Sequence, residues 1–200
     1  MAELPLFPLR TVLFPEGLLE LKIFEARYLD LMSRCLREQA PFGVVALKSG
    51  GEARSSGDKV ELHDVGTLAE LIDVDSTQAG ILLVRCRGRG RFNVGATHQE
   101  KDGLWRAQTS AVADDPVVAP APGHVAIVRS LIEAIATLTA QDTRPFLEPY
   151  RFDDAGWVAN RWCEILPFPL EAKQRLMTLA DPLARLDVVD SLVRVRNETH

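Results

Sequence analysis

Between residues 18 and 24 the chain reads LLELKIF, with Leu19, Leu21 and Ile23 on one side and Glu20 and Lys22 on the other. That alternation predicts a half-buried strand. From Glu25 the period lengthens: Tyr28, Leu29, Met32, Cys35 and Leu36 recur at helical spacing, and Pro41 marks the stop. Ahead of the strand, Pro5, Pro8 and Pro15 interrupt an apolar run that includes Phe7 and Phe14, and the segment reads as an extended sheet edge. FGVVALK at 42–48 predicts the next strand, and SGGEARSSGD at 49–58 an exposed, flexible loop. Further strands follow at 60–74, 81–87, 91–97 and 104–112, joined by the turn-like STQAG at 76–80 and QEKDG at 99–103. Short strands with tight turns imply an antiparallel barrel or sandwich.

The character changes at DDPVVAPAPG, residues 114–123, a proline-rich linker. Beyond it the helical period dominates. Val128, Leu131, Ile132, Ile135 and Leu138 make one apolar stripe. Asp153 is placed to cap a helix carrying Trp157, Val158, Trp162 and Ile165. Pro169 suits the first turn of a third, and Asp181–Pro182 starts a fourth with Leu183, Leu186, Val189, Leu192 and Val193 on one face. The organisation expected is a β-rich part at 1–113, a linker at 114–123 and helices over 124–200.

Composition narrows the class. The opening segment is not expected to be a signal peptide, because Glu3 precedes the first cation, Arg10, and prolines break the apolar stretch. It is no membrane span either, since Glu16, Glu20, Lys22 and Glu25 interrupt it. A formal net charge of −5 gives no general pull towards nucleic acid or anionic membranes. Cys35, Cys86 and Cys163 are scattered, without disulfide or metal spacing, and read as buried apolar residues of a cytoplasmic protein.

Candidate chemistry is sparse. Only Lys48 among the five lysines precedes a hydroxyl residue, and no glycine stands before it, so a P-loop is excluded. No G-x-S-x-G elbow occurs. His63, His98, His124 and His200 share no metal-ligand spacing. Asp114–Asp115 and Asp153–Asp154 sit where acids cap helices. The expectation is no catalytic residue, no cofactor and no metal. One cationic pattern stands out, RCRGRGRF, with Arg85, Arg87, Arg89 and Arg91 at every second position. On a continuous strand these would line one face and track phosphates. Gly88 and Gly90 point instead to a bulge that scatters them. The β-rich part also holds 14 Lys/Arg against 15 Asp/Glu, with no basic surplus.

PLFPLRTVLFPEGLLELKIFEARY at 5–28 resembles the opening of the Lon N-terminal, or substrate-binding, domain family. FGVV at 42–45, VGTLAEL at 65–71, GRGRFNV at 88–94 and ILPFPLEAKQRLMTLADPLARLDVV at 165–189 continue the likeness. Glu16 departs from it, as an extra residue before Gly17. The resemblance implies an α+β fold: an N-terminal PUA-like pseudo-barrel of mostly antiparallel strands with one short helix, then a C-terminal helical bundle. It also implies a stand-alone, non-catalytic module that holds unfolded polypeptide or a partner protein, and leaves room for a functional link to a separate protease. An exposed aromatic patch would serve that role, with Phe7, Phe14 and Trp105 as candidates. An open strand edge that adds an extended peptide is another means. The alternative is an RNA-binding PUA-like module using the arginines from 85 to 91; a third reading, an unrecognised hydrolase, has no motif behind it.

Overall fold

The alternating and helical periods become seven strands and five helices in the computed structural model, which describes residues 2–51 and 59–198. Most of the polar loop expected at 49–58 lies outside the described residues, as does His200. The chain divides into two compact units, Met1–Asp114 and Asp115–His200.

The first unit holds β1 (Ala2–Leu9), β2 (Leu18–Ile23), α1 (Ala26–Glu38), β3 (Phe42–Ser49), β4 (Glu61–Leu62), β5 (Val65–Gln78), β6 (Ile81–Gln99) and β7 (Trp105–Ala111). The two strands expected at 81–87 and 91–97 are one long strand, β6. The pairings run β1–β7–β6–β5–β3 and return from β3 to β1, so the five strands close a circuit; all are antiparallel except β1–β3. β4 adds to β3, and β2 to β6.

The opening segment is therefore no outer edge. β1 ladders with β7 over residues 2–6 and with β3 over residues 6–9. Pro5 and Pro8 fall in opposite halves, each with a ladder on one side only. Their missing N–H groups thus cost no inner-strand hydrogen bond, which is how prolines survive in a strand with two neighbours.

Side chains from both faces of these strands are buried, in two clusters. Leu6, Val45, Phe92 and Ala107 form one, with Leu4, Leu62, Leu68, Val94 and Trp105 packed against it. Residues from β1, β3, β4, β5, β6 and β7 meet here. A Cβ at Gly43 or Gly66 would come within 2.6 Å of the Phe92 ring, so both glycines make room for it. The second cluster joins the amphipathic face of α1 (Tyr28, Leu31, Met32, Cys35) to Phe7, Leu13, Ile23, Phe42, Val84 and Cys86. Phe7 stacks on Tyr28 with ring centroids 3.9 Å apart. The helix ends at Gln39, in the left-handed region, two residues before Pro41; Leu36, expected on the apolar face, is half exposed. Arg27 fastens the strand-to-helix corner, pairing with Glu25 at 2.8 Å and donating to the Gly103 carbonyl at 2.8 Å.

The second unit holds α2 (Val125–Ala140), α3 (Ala155–Ile165), α4 (Leu170–Thr178) and α5 (Pro182–Glu198). Asp154 caps α3, accepting from the Gly156 and Trp157 amides, one residue later than the sequence suggested. Asp181 accepts from the Leu183 and Ala184 amides at the start of α5. Ile127, Leu131 and Ile135 are the buried seam of α2, while Ile132 and, on α5, Leu192 are exposed. With the turn before it, α2 makes residues 122–140 long and apolar enough to cross a membrane by length and composition. Two arginines are buried: Arg161 pairs with Glu164 at 2.6 Å, and Arg185 with Asp115 at 2.7 Å and Asn160 at 3.1 Å. Burial pushes the Glu164 carboxyl up to about 7 against the opposing pull of Arg161.

Candidate functional site

Phe7 and Phe14 are core residues, 8% and 0% exposed, and this corrects their expected place on a surface patch. Phe7 is held between β3 and α1. Phe14 is enclosed where its own backbone meets β6: the Phe14 carbonyl oxygen stands 2.1 Å from where a Cβ at Gly88 would be. Apolar residues between prolines looked exposed because no period marked a buried face; tertiary packing supplied one.

Trp105 remains accessible in part. As the first residue of β7 it is matched with Leu6 on β1 and Gln99 on β6, and it packs against the Phe92 cluster. It borders a cleft of about 350 Å³ together with Leu62, Val94, Thr97, His63 and Lys48. Leu62 and Val94 also pack against the Phe92 cluster, so an apolar floor continuous with the core comes to the surface here. The rim is polar: Lys48 and Asp64 pair at 3.1 Å, and Glu61 and His63 also line it. Trp105 was legible as a half-buried strand residue; its neighbours were not, because they come from β3, β4 and β6. The cleft is open and largely polar in its lining; it can seat an apolar group against Trp105, Leu62 and Val94 and offer hydrogen bonds around it.

The arginines of β6 do not form a free cationic face. Arg85 is exposed, Arg87 and Arg89 are half-buried, and Arg91 is 4% exposed and donates to the Ala113 carbonyl at 3.0 Å. Thr67 is matched with Arg91 and Ala69 with Gly88, so β6 carries one extra residue in this interval, the bulge that the glycines suggested. Arg85, Arg87 and Arg89 are matched with acids on neighbouring strands and in the turn before β2. Arg85 lies between Glu20 of β2, at 3.3 Å, and Asp73 of β5, its register partner. Arg89 meets Glu70 at 2.5 Å and Glu16 at 3.4 Å, and Arg87 lies 4.0 Å from Glu16. Arg89's hydrogen bond holds the Glu70 carboxyl below its usual range. These acids were visible in the sequence, but their alignment with the arginines depends on strand register.

Glu16, the departure from the Lon-domain pattern, sits at φ 60° in a turn anchored by Glu16 N–H to the Gly88 carbonyl at 2.8 Å. The additional residue supplies the carboxylate that meets two arginines.

Among the described residues, no group of three or more His, Cys, Asp or Glu side chains is disposed to hold a metal ion. His124 contacts Asp187 at 2.7 Å and accepts from the Ala121 amide, a bracing role within its unit. All three thiols are buried; burial raises Cys35 and pushes Cys86 and Cys163 up to about 12, so they stay protonated and unreactive at neutral pH.

Comparisons with known proteins agree with this architecture. The family model of the ATP-dependent protease La (LON) substrate-binding domain matches residues 3–194. The chain is 28% identical to a Lon protease of Anaeromyxobacter dehalogenans over 98% of its own length and 24% of that protein's. It is 26% identical to Lon protease 2 of Myxococcus xanthus over 98% of its length and 24% of that relative. It thus spans about a quarter of the length of these relatives. A Lon N-terminal domain protein from Xanthomonas campestris superposes with a TM-score of 0.75 at 29% identity, covering 96% of this chain and 98% of that one. The N-terminal domain of a Mycobacterium avium complex Lon protease shares the fold, with a TM-score of 0.62 at 14% identity over 94% of this chain and 96% of that one. With strand order, helices and sequence matched over nearly all its length, the chain belongs to the Lon substrate-binding domain family.

Proposed function

We propose that this protein is a non-catalytic polypeptide-recognition module, and that the Trp105 cleft receives an apolar or aromatic side chain of an unfolded or partner protein. The carrying observation is the cleft itself, where core side chains surface beneath a rim of polar groups, in a member of a substrate-binding domain family. A client side chain would be buried against Trp105, Leu62 and Val94, at about 25 cal/mol for each Å² of apolar surface removed from water. The backbone beside it would find donors and acceptors at the rim.

The closed strand circuit is read here as a PUA-like pseudo-barrel over residues 1–113, joined by a linker at 114–123 to a helical bundle over 124–200. We place the protein in the cytoplasm on the basis of its three buried free thiols. The buried seam of α2 supports a place in a helical unit for that apolar helix rather than a membrane. Any link to a protease would run through another chain or another segment, since the matched relatives carry about three-quarters of their length outside the shared region.

Crosslinking to a chemically unfolded client, compared with its folded form, is the test. Capture of the unfolded form that falls at least about fivefold in Trp105→Ala supports the proposal. Equal capture of both forms, or capture unchanged by the substitution, overturns it. Nucleic-acid binding is the weaker reading, because the arginines it needs are matched with Glu16, Glu20 and Glu70.

A further inference from the structure

Among the described residues β2 pairs with β6 alone, and none of its backbone groups bonds to another element from the far side. The sequence of that edge is self-complementary. Leu18, Glu20, Lys22 and Phe24 face outward, and Leu19, Leu21 and Ile23 face the core. A second copy of β2, antiparallel and centred on Leu21, would set Glu20 opposite Lys22 of the other copy, and Lys22 opposite its Glu20. The same register sets Leu18 opposite Phe24 on the outward face and Leu19 opposite Ile23 on the inward face.

Two further observations favour this occupant. Phe24 is 66% exposed, a large aromatic with no cover of its own, and Leu18 would cover it. Glu20 has Arg85 on its inner side, while Lys22 is matched there with Leu83 and has no ion-pair partner among the described residues. A lone lysine on an edge strand ordinarily repels a second strand. Here a glutamate two residues away turns the same lysine into half of a symmetric pair. Direct cross-strand pairs of opposite charge and of apolar residues both favour such a register.

We infer that the chain forms a two-fold symmetric homodimer by antiparallel pairing of β2 with β2 of a second copy, with Glu20–Lys22 ion pairs on either side of the axis. A two-fold interface needs a patch complementary to itself, and this edge meets that condition. The six residues of β2, with Phe24 just beyond it, supply only part of the roughly 1,200 Å² that stable interfaces bury, so association depends on concentration.

Sedimentation velocity of the full chain over roughly a hundredfold concentration range reads this out. The mass is expected to rise towards twice that of the monomer. Lys22→Glu alone and Glu20→Lys alone set like charges opposite each other, and each is expected to remain monomeric where the unmodified chain dimerises. Mixing the two variants restores complementarity and is expected to give a heterodimer. Circular dichroism checks that each variant is folded. Should Glu20→Lys unfold beside Arg85, Phe24→Ser serves instead and is expected to weaken the dimer about tenfold. A monomer at every concentration, or a dimer indifferent to Lys22→Glu, overturns the inference. So does a monomer whose β2 amides gain protection only when an unfolded client is added, which assigns the edge to client strands.

Discussion

Glu16 and Arg89 meet at 3.4 Å, from a tight turn with φ 60° to the bulged interval of β6. The same carboxylate lies 4.0 Å from Arg87, and Glu70 holds Arg89 from β5. A row of cations that reads as a phosphate track in the sequence is balanced by acids from the turn, β2 and β5.

Removing that balance should create the activity that the fold withholds. Glu16→Ala combined with Glu70→Ala is expected to raise affinity for a polyanion such as heparin about tenfold at low salt, with a gain that fades as salt rises. Elution from a heparin column along a salt gradient checks this. Unchanged retention would mean that the acids do not govern the arginines.

Gly88 has no room for a side chain, because a Cβ would stand 2.1 Å from the Phe14 carbonyl oxygen. Gly88→Ala is expected to cost about 3 kcal/mol or more, since backbone on both sides must move. Urea unfolding measures it. Gly90→Ala is the control: its Cβ would meet only an Asp114 carboxylate oxygen at 3.4 Å, and a small effect is expected.

Phe14→Ala and Trp105→Ala should separate stability from recognition. Phe14 is fully buried, so its truncation is expected to cost about 3–5 kcal/mol. Trp105 is half-buried and should cost less while removing client capture. Thermal unfolding run beside the crosslinking assay gives both quantities. If Phe14→Ala reduced capture while the protein remained folded, the recognition surface would have to include the turn before β2.

Glu164 gives the helical unit a pH dependence of unusual sign for a carboxylate. Its folded value, about 7, lies above the ordinary 4.5, so the folded state holds a proton that the unfolded state has released. Its contribution is full below about pH 4.5 and is lost as pH rises towards 7, at roughly 1.4 kcal/mol per pK unit. Glu164→Gln should flatten that slope. Urea midpoints at pH 5 and pH 7.5 would show it, and an identical slope in the variant would assign the dependence to another group.

The periods in the sequence carried most of the element assignments, because amphipathic strands and helices display their buried face as a repeat. Leu19, Leu21 and Ile23, and Tyr28, Met32 and Cys35, were legible in that way. β1 was not, since a strand with a ladder on each side in turn buries residues of both faces and shows no alternation. Phe7 was misplaced for that reason, and Phe14 because it lies in the irregular segment between β1 and β2, where no period marks a buried side. Leu192 and Ile132 failed differently: each neighbours true core positions on its helix, and the period alone does not decide how wide the buried stripe is. The Trp105 cleft was legible by one residue only, because a site assembled from four strands depends on register that no local pattern records.

The ladder between β1 and β7 also orders events in time. Ala2 is matched with Thr109 and Leu6 with Trp105, so the first strand to be synthesised waits for the last one of its unit. Until residue 111 has left the ribosome, β1 has only β3 beside it, and the apolar residues later covered by β7 stand open. Closing so long a loop is slow by comparison with forming local helices. The nascent chain therefore spends that interval as an unfolded polypeptide with exposed apolar surface, the kind of object its finished fold is proposed to hold.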